Sequence, residues 1–347
     1  RDFASALLHY VNPDALKREG VKILGETRRI LSGDSELDPG RDKRFSDPAW
    51  RENGLYRRLG QGYLAFCQAL EGLVEEDEED PMRREKAKLA VDHITGMASP
   101  TNALLGNPAA LKKAYETRGL SVLKGARNLL DDLKNNGGLP SQVDRTSLVV
   151  GRDLAVSAGG VVYRNKFLEI LQYQPTTAQV YEIPLVVMTP QINKFYFLDL
   201  APGRSFVEYM TSQGYQVFVV SWRNPGPRHG EWRLENYCEA LVDAIGAVTE
   251  ITRSPKVNTF GFCAGGITMS SLLSYLVHTG QGRKVNAVSY AVTLLDFCHP
   301  ALIGILKSDY LLKFAKGASG ATGVLDGARL ATLFTMLRPK DLIWDNW

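Results

Sequence analysis

A cysteine between glycines, in the stretch GFCAGG at residues 261–266, constrains the fold of this chain more than any other feature. The apolar run Val257–Phe260 before it predicts a strand, and the run Ile267–His278 after it predicts a helix. A nucleophile flanked by glycines at a strand-to-helix junction is typical of the strained turn called a nucleophile elbow. The sequence therefore predicts that Cys263 occupies such an elbow.

The elbow interpretation assigns each flanking residue a physical task. Gly261 and Gly265 lack the Cβ atoms that would clash where neighbouring backbone closes in on the turn. Cys263 would lie at a helix amino terminus, where exposed N–H groups and the helix dipole favour a negatively charged sulfur. A thiolate there could attack a carbonyl or thioester carbon. The alternative is an ordinary turn with a small buried cysteine, since free cysteines are often buried.

An acyl-transfer site also needs two hydrogen-bond donors for the developing oxyanion. The elbow predicts one donor, the backbone N–H of Ala264, and an earlier strand-to-helix loop usually supplies the other. That loop is expected at Thr189–Asn193, after the predicted strand Leu185–Met188, and Ile192 is the candidate for the second backbone donor. A turn forced by Pro190 explains the same residues equally well.

The remaining pattern predicts an α/β fold class with a helical region before it. Residues 1–145 indicate a mainly helical amino-terminal domain, with an apolar stripe in Leu55–Val74, and the turn-rich stretch NNGGLP at residues 135–140 marks its end. Residues 146–347 then alternate short strands with helix-length segments. The predicted elements there are a hairpin (161–163 and 167–173), strands at 217–222 and 285–297, and a helix at 232–252.

Composition narrows the function classes. The 41 basic and 38 acidic residues are intermixed and give a net charge of +3, so nucleic acid is not an expected partner. The four cysteines show no paired spacing, which argues against a zinc site and a disulfide framework and favours a reducing cytoplasm. No apolar run reaches the roughly 18 residues of a transmembrane segment. We therefore expect no metal, and we expect Cys67, Cys238 and Cys298 to be core residues.

The partners that a cysteine nucleophile needs are not evident after Cys263. Elbow enzymes place an acid and then a histidine downstream of the nucleophile. His278 lies about four helical turns from Cys263 by helix rise, too far to act as its base. His299 follows the last predicted strand and is interpreted as structural. The sequence therefore reads as a carboxy-terminally truncated catalytic domain.

Several separated blocks resemble the polyhydroxyalkanoate synthases, of the class I or class II type. The similarity covers nearly the whole chain in the family's order, and the blocks are RDKRFSDPAW at 41–50, SPTN at 99–102, PQINKFY at 190–196, VSWRNP at 220–225 and RPKDLIW at 338–344. Together with the cysteine elbow, the blocks form a specific signature. On these residues, the chain is similar to the polyhydroxyalkanoate synthases.

The resemblance implies an α/β-hydrolase fold and a poly(3-hydroxyalkanoate) synthase activity. In that family the cysteine, here Cys263, carries the acyl group and the growing polyester as thioesters, and 3-hydroxyacyl-CoA is the substrate without any cofactor. A histidine and an aspartate from the carboxy-terminal part would activate it. The resemblance also implies a homodimer in the cytoplasm at the surface of storage granules, with a cap region from about residue 298.

Monomer length and two rival functions remain open at the level of sequence. The residues QIN at 191–193 and the stretch 135–143 resemble medium-chain synthases, whereas GFC at 261–263 resembles the short-chain type, and the balance slightly favours medium chains. A cysteine esterase or lipase of the same fold is one rival function. A non-catalytic granule-surface protein is the other.

Overall fold

The computed structural model describes residues 2–74, 80–143, 147–297, 304 and 309–344. The chain divides into two compact units. The first unit comprises residues 1–144, 299–316 and 328–347, and the second comprises residues 145–298 and 317–327. His299, which was interpreted as structural, and Cys298, which was expected in the core, lie outside the described residues. The cap region expected from about residue 298 stays a prediction.

The amino-terminal part of the first unit is built from helices, several of which begin at well-formed caps. The Asn53 side chain accepts hydrogen bonds from the N–H groups of Leu55 and Tyr56, and thereby starts the helix that the apolar stripe predicted at 55–74. The helices here are α1 (Asp2–Tyr10), α2 (Pro13–Ser32), α3 (Ala49–Glu52), α4 (Gly54–Leu73), α5 (Pro81–Met97), α6 (Pro108–Glu116) and α7 (Leu120–Asn135).

An aromatic cluster packs against the middle of α4 in the first unit. Phe45 and Trp50 are 1% and 3% exposed, and their ring centroids lie 4.7 Å apart in an edge-to-face arrangement. Tyr63 stacks on Phe45 at 5.8 Å and donates its hydroxyl to the carbonyl oxygen of Thr95 at 3.0 Å. This cluster therefore joins α3, α4 and α5 through apolar packing and one satisfied polar contact.

The second unit contains a six-stranded mixed sheet, in the order β1-β2-β4-β3-β5-β6. β1 and β2 form the predicted hairpin, and β2 also pairs antiparallel with β4. β3, β4, β5 and β6 run parallel to one another. The bounds are β1 (Gly159–Arg164), β2 (Leu168–Tyr173), β3 (Leu185–Met188), β4 (Val217–Trp222), β5 (Val257–Phe262) and β6 (Val285–Ala291).

Six further α-helices lie among the described residues. They are α8 (Phe206–Ser212), α9 (Leu234–Thr252), α10 (Ala264–His278), α11 (Asp309–Thr322), α12 (Gly327–Met336) and α13 (Pro339–Leu342). α9 confirms the helix predicted at 232–252, and α10 confirms the helix that follows the predicted elbow. The α/β class is confirmed by this sheet and its helices.

Both faces of the sheet are packed at its central strands, whereas the edge strands β1 and β6 are largely exposed. On one face, Met188, Phe218 and Val220 form a buried core with residues of α9 and α10, including Leu241 and Ile245. The other face carries a second core cluster. β3 is buried along its whole length, as expected for a parallel strand covered on both sides.

β6 is shorter than the sequence predicted. The expected strand ran to residue 297, but β6 ends at Ala291 because Val292 has a positive φ of 45°. A β-branched residue rarely adopts this conformation, so the composition of the segment did not predict a turn here. The following residue, Thr293, donates its hydroxyl to the carbonyl oxygen of Ala291 at 3.1 Å.

No helix among the described residues is long and apolar enough to cross a membrane.

Two isoleucines of α9 test the assignment of the core. Ile245 is 0% exposed and Ile251 is 42% exposed. Ile245→Ala is expected to lower the free energy of unfolding by about 2–5 kcal/mol, because it leaves a cavity in the sheet-facing core. Ile251→Ala is expected to lower it by less than about 1 kcal/mol. Chemical denaturation checks both, and equal losses would contradict the burial described here.

Candidate active site

The candidate site lies at the carboxyl ends of two neighbouring parallel strands. β3 and β5 are hydrogen-bonded neighbours, with Met188 opposite Gly261 in register. The loop after β3 and the turn after β5 therefore leave the sheet at the same edge. Residues at this edge of a parallel sheet are well placed to form a site together.

Cys263 occupies a strained turn between β5 and α10. Its backbone has φ 48° and ψ −122°, a combination that residues other than glycine rarely adopt. The Cys263 N–H donates to the carbonyl oxygen of Ala291 at 3.0 Å, which ties the turn to the end of β6. The side chain is partly exposed. This geometry is that of a nucleophile elbow.

The glycines around Cys263 are required by close backbone approaches. A Cβ atom on Gly265 would lie 2.2 Å from the carbonyl oxygen of Met188, and one on Gly261 would lie 2.6 Å from the Cα atom of Gly266. Neither neighbour is the flexible end of a side chain, so neither can move aside cheaply. The first turn of α10 thus packs directly on the end of β3.

A third glycine was not given a role from the sequence. A Cβ atom on Gly266 would lie 2.2 Å from the Thr293 hydroxyl oxygen. The same Thr293 hydroxyl oxygen lies 3.3 Å from the carbonyl oxygen of Gly261, so its single proton is shared between this carbonyl and that of Ala291. The doubled glycine in the motif was the available signal, but its partner lies 27 residues downstream.

Ala264 is the first residue of α10, so its N–H has no partner within the helix. Cys263 directly precedes it as the N-cap residue. The helix dipole adds a partial positive charge at the same place. A backbone donor and the predicted nucleophile, Cys263, are therefore adjacent in the turn.

The loop after β3 contains the other proposed donor. Ile192 is 48% exposed, in a turn closed by a hydrogen bond from the Asn193 N–H to the carbonyl oxygen of Pro190 at 3.1 Å. The base of the loop is fixed at Thr189, whose carbonyl oxygen accepts from Trp222 Nε1 at 2.7 Å. The Thr189 hydroxyl donates to the carbonyl oxygen of Val220, also at 2.7 Å.

A side-chain contact joins this loop to α10. Gln191 Nε2 donates to the Thr268 hydroxyl oxygen at 2.7 Å, and that hydroxyl donates to the carbonyl oxygen of Ala264 at 3.1 Å. Gln191 is partly buried and Thr268 is 4% exposed. Neither side chain has a role that the sequence predicted.

The other described cysteines lie in different surroundings. Cys238 is 3% exposed within the core of the second unit, and burial raises the pKa of its thiol. Cys67 is partly buried beside Tyr63 in the first unit, and burial raises its pKa as well. A raised pKa lowers the fraction of reactive thiolate. Neither residue follows a strand at an elbow.

His278 is the last residue of α10, at the end of the helix away from Cys263. Within the part of the chain that the structure describes, there is no group of three or more His, Cys, Asp or Glu side chains that could hold a metal ion.

Comparison with known proteins gives one consistent family. Residues 41–210 match the family model described as the poly-beta-hydroxybutyrate polymerase (PhaC) N-terminus. Over 93% of its length the chain is 44% identical to poly(3-hydroxyalkanoate) polymerase 2 of Ectopseudomonas oleovorans, of which it covers 58%. It is 42% identical to polymerase 1 of the same organism, again over 93% of its length, and covers 57% of that protein.

A more distant relative agrees. The chain is 36% identical, over 88% of its length, to the poly(3-hydroxyalkanoate) polymerase subunit PhaC of Cupriavidus necator, of which it covers 53%. The chain is therefore similar to poly(3-hydroxyalkanoate) polymerases over 88–93% of its length. It spans a little over half the length of these curated relatives.

Two helical glycines test the close approach at the elbow. Gly265→Ala is expected to destabilise the protein by about 1–3 kcal/mol or to displace the elbow, because the added methyl group meets backbone at the end of β3. Gly246→Ala is the matched control, since no atom lies within 4 Å of its added Cβ. That variant should be stabilised by about 0.5–1 kcal/mol. Thermal and chemical denaturation measure both changes in stability. An unchanged stability of Gly265→Ala would refute the packing described.

Proposed function

We propose that the protein containing this chain polymerises 3-hydroxyacyl-CoA into polyhydroxyalkanoate and releases CoA, with Cys263 as the covalent nucleophile. The observation that carries the proposal is the strained turn at Cys263, with a free helix-terminal N–H directly after it. The match to the family model and the similarity to the curated polymerases support the same activity. The strand order and the elbow after β5 support an α/β-hydrolase fold for the second unit.

The first half-reaction is a thioester exchange. The Cys263 thiolate attacks the carbonyl carbon of the 3-hydroxyacyl-CoA, and the carbonyl oxygen becomes an oxyanion. The Ala264 and Ile192 N–H groups would donate to this oxyanion, where fixed dipoles are most effective. The intermediate then collapses by breaking the bond to the CoA sulfur. CoA leaves with a proton, and the acyl group remains on Cys263 as a thioester.

The second half-reaction extends the polymer. The 3-hydroxyl of another monomer loses its proton to a general base and attacks the acyl carbon held on Cys263. An ester bond forms, and the Cys263 thiolate is released. We propose that the base is a histidine paired with an aspartate, both supplied by the part of the family's sequence that this chain does not span. Neither half-reaction uses a metal or redox cofactor.

We also propose the other properties that the resemblance to this family implies. They are a preference for medium-chain monomers, homodimer formation, and a location in the cytoplasm at storage granules. The residues at 191–193 support the monomer preference only through their likeness to medium-chain synthases. A cysteine esterase remains the second candidate, because the elbow and both donors would serve hydrolysis equally well.

Substitution of the nucleophile tests the proposal. In the intact gene product, Cys263→Ala should abolish CoA release from 3-hydroxybutyryl-CoA and 3-hydroxydecanoyl-CoA. Cys263→Ser should slow CoA release at least about 100-fold, because an alkoxide is harder to generate than a thiolate. Cys67→Ser is the control and should retain release within about twofold. Unchanged release in Cys263→Ala would overturn the covalent role.

The products separate the candidate functions. Polymerisation yields polyester, whereas an esterase yields one free 3-hydroxy acid for each CoA released. A granule-surface protein without activity would release no CoA from either substrate.

A further inference from the structure

We infer that Gln191 and Thr268 are positioning residues that set the spacing between the two backbone oxyanion donors. The inference rests on the proposed function, because it concerns the site in which Cys263 is acylated. It assigns a task to a pair of side chains that are 77 residues apart in the chain.

The contact joins the two segments that carry the donors. The peptide group between Gln191 and Ile192 carries the Ile192 N–H, so the Gln191 side chain is anchored on the residue directly before that donor. On the other segment, Thr268 lies one helical turn after Ala264 and bonds its carbonyl oxygen. We call the Gln191–Thr268 hydrogen bond the bridge. It links Gln191, the residue before the Ile192 donor, to Ala264, the residue that carries the other donor.

The hydrogen bonding within the bridge has one consistent direction. A hydroxyl group has one proton to donate and two lone pairs to accept with. The Thr268 hydroxyl gives its proton to the Ala264 carbonyl and accepts from the Gln191 amide at 2.7 Å. Donation by the amide polarises the hydroxyl and strengthens its own donation. Since Thr268 is 4% exposed, water competes little for these bonds.

Other contacts fix only the base of the loop. Trp222 and Val220 bond Thr189, and Gly265 packs against the same region, but all three act at the end of β3. Ile192 lies three residues farther out and is 48% exposed. Among the hydrogen bonds of the described residues, the one from the Gln191 side chain joins the outer part of this loop to α10. Without it, the turn at 190–193 could move while its base stayed in place.

Two isosteric substitutions remove the bridge. Gln191→Met deletes the amide donor on a partly exposed loop, and Thr268→Val deletes the hydroxyl with almost no change of volume. Each single variant should slow acylation of Cys263 about tenfold, since a donor misplaced by a fraction of an ångström stabilises the oxyanion less. The double variant should be no slower than either single one, because each removes the same bridge.

Thr252→Val and Thr268→Ser are the matched controls. The Thr252 hydroxyl bonds the Val248 carbonyl oxygen four residues earlier in α9 at 2.8 Å, and none of its described contacts reaches the site. Its loss should leave acylation within about twofold. Thr268→Ser keeps the hydroxyl and should restore acylation to within about twofold.

The experiment measures two reactions of Cys263 in the intact gene product. Acylation is followed as single-turnover CoA release from 3-hydroxydecanoyl-CoA. Alkylation by iodoacetamide is followed by mass spectrometry of the Cys263 peptide. Alkylation displaces iodide and forms no oxyanion, so it should stay within about twofold in the bridge variants. A loss of acylation with preserved alkylation supports the inference.

The remaining outcomes overturn it in distinguishable ways. Unchanged acylation in Gln191→Met, a variant of a partly exposed residue that is expected to fold, would overturn the bridge alone. Equal losses of acylation and alkylation would show that the variants disturb the elbow itself. Acylation about 100-fold slower in the double variant would show that the two residues have separate roles. CoA release that is equal in the unsubstituted protein and Cys263→Ala would overturn the proposed function and the bridge together.

Discussion

The close approach between the first turn of α10 and the end of β3 is the contact on which the site depends. The surroundings of Gly265 leave no room for a side chain, because a Cβ atom there would lie 2.2 Å from the Met188 carbonyl oxygen. This contact brings the amino terminus of α10 directly beside the loop that follows β3. The pairing of β3 with β5 then brings the proposed nucleophile and both proposed oxyanion donors to one edge of the sheet.

The local parts of this arrangement could be predicted from the sequence. Glycine spacing and the switch from strand to helix pattern located the elbow at Cys263, because the strain of the turn and its steric relief both lie within six residues. β3 and α9 were likewise predicted from short-range apolar patterns. These predictions are confirmed because the spacing of apolar residues and the composition within a short segment determine each of these features.

The parts that sequence did not predict depend on distant partners. β6 ends at Ala291 because of the backbone conformation at Val292, which nothing in the local composition indicates. The contact between Gln191 and Thr268 joins two polar residues that individually resemble ordinary loop and helix positions. The grouping of residues 328–347 with the first unit also depends on long-range packing, such as that of Leu337 against Leu89.

The central claim is that Cys263 carries the acyl group, and trapping that thioester tests it most directly. An acyl-CoA that lacks the 3-hydroxyl, such as decanoyl-CoA, can acylate the cysteine but offers no nucleophile for chain extension. Incubation with the intact gene product, followed by digestion and mass spectrometry, should find the decanoyl group on the peptide containing Cys263. A decanoyl group on the Cys67 peptide, or CoA release without any adduct on Cys263, would contradict the account.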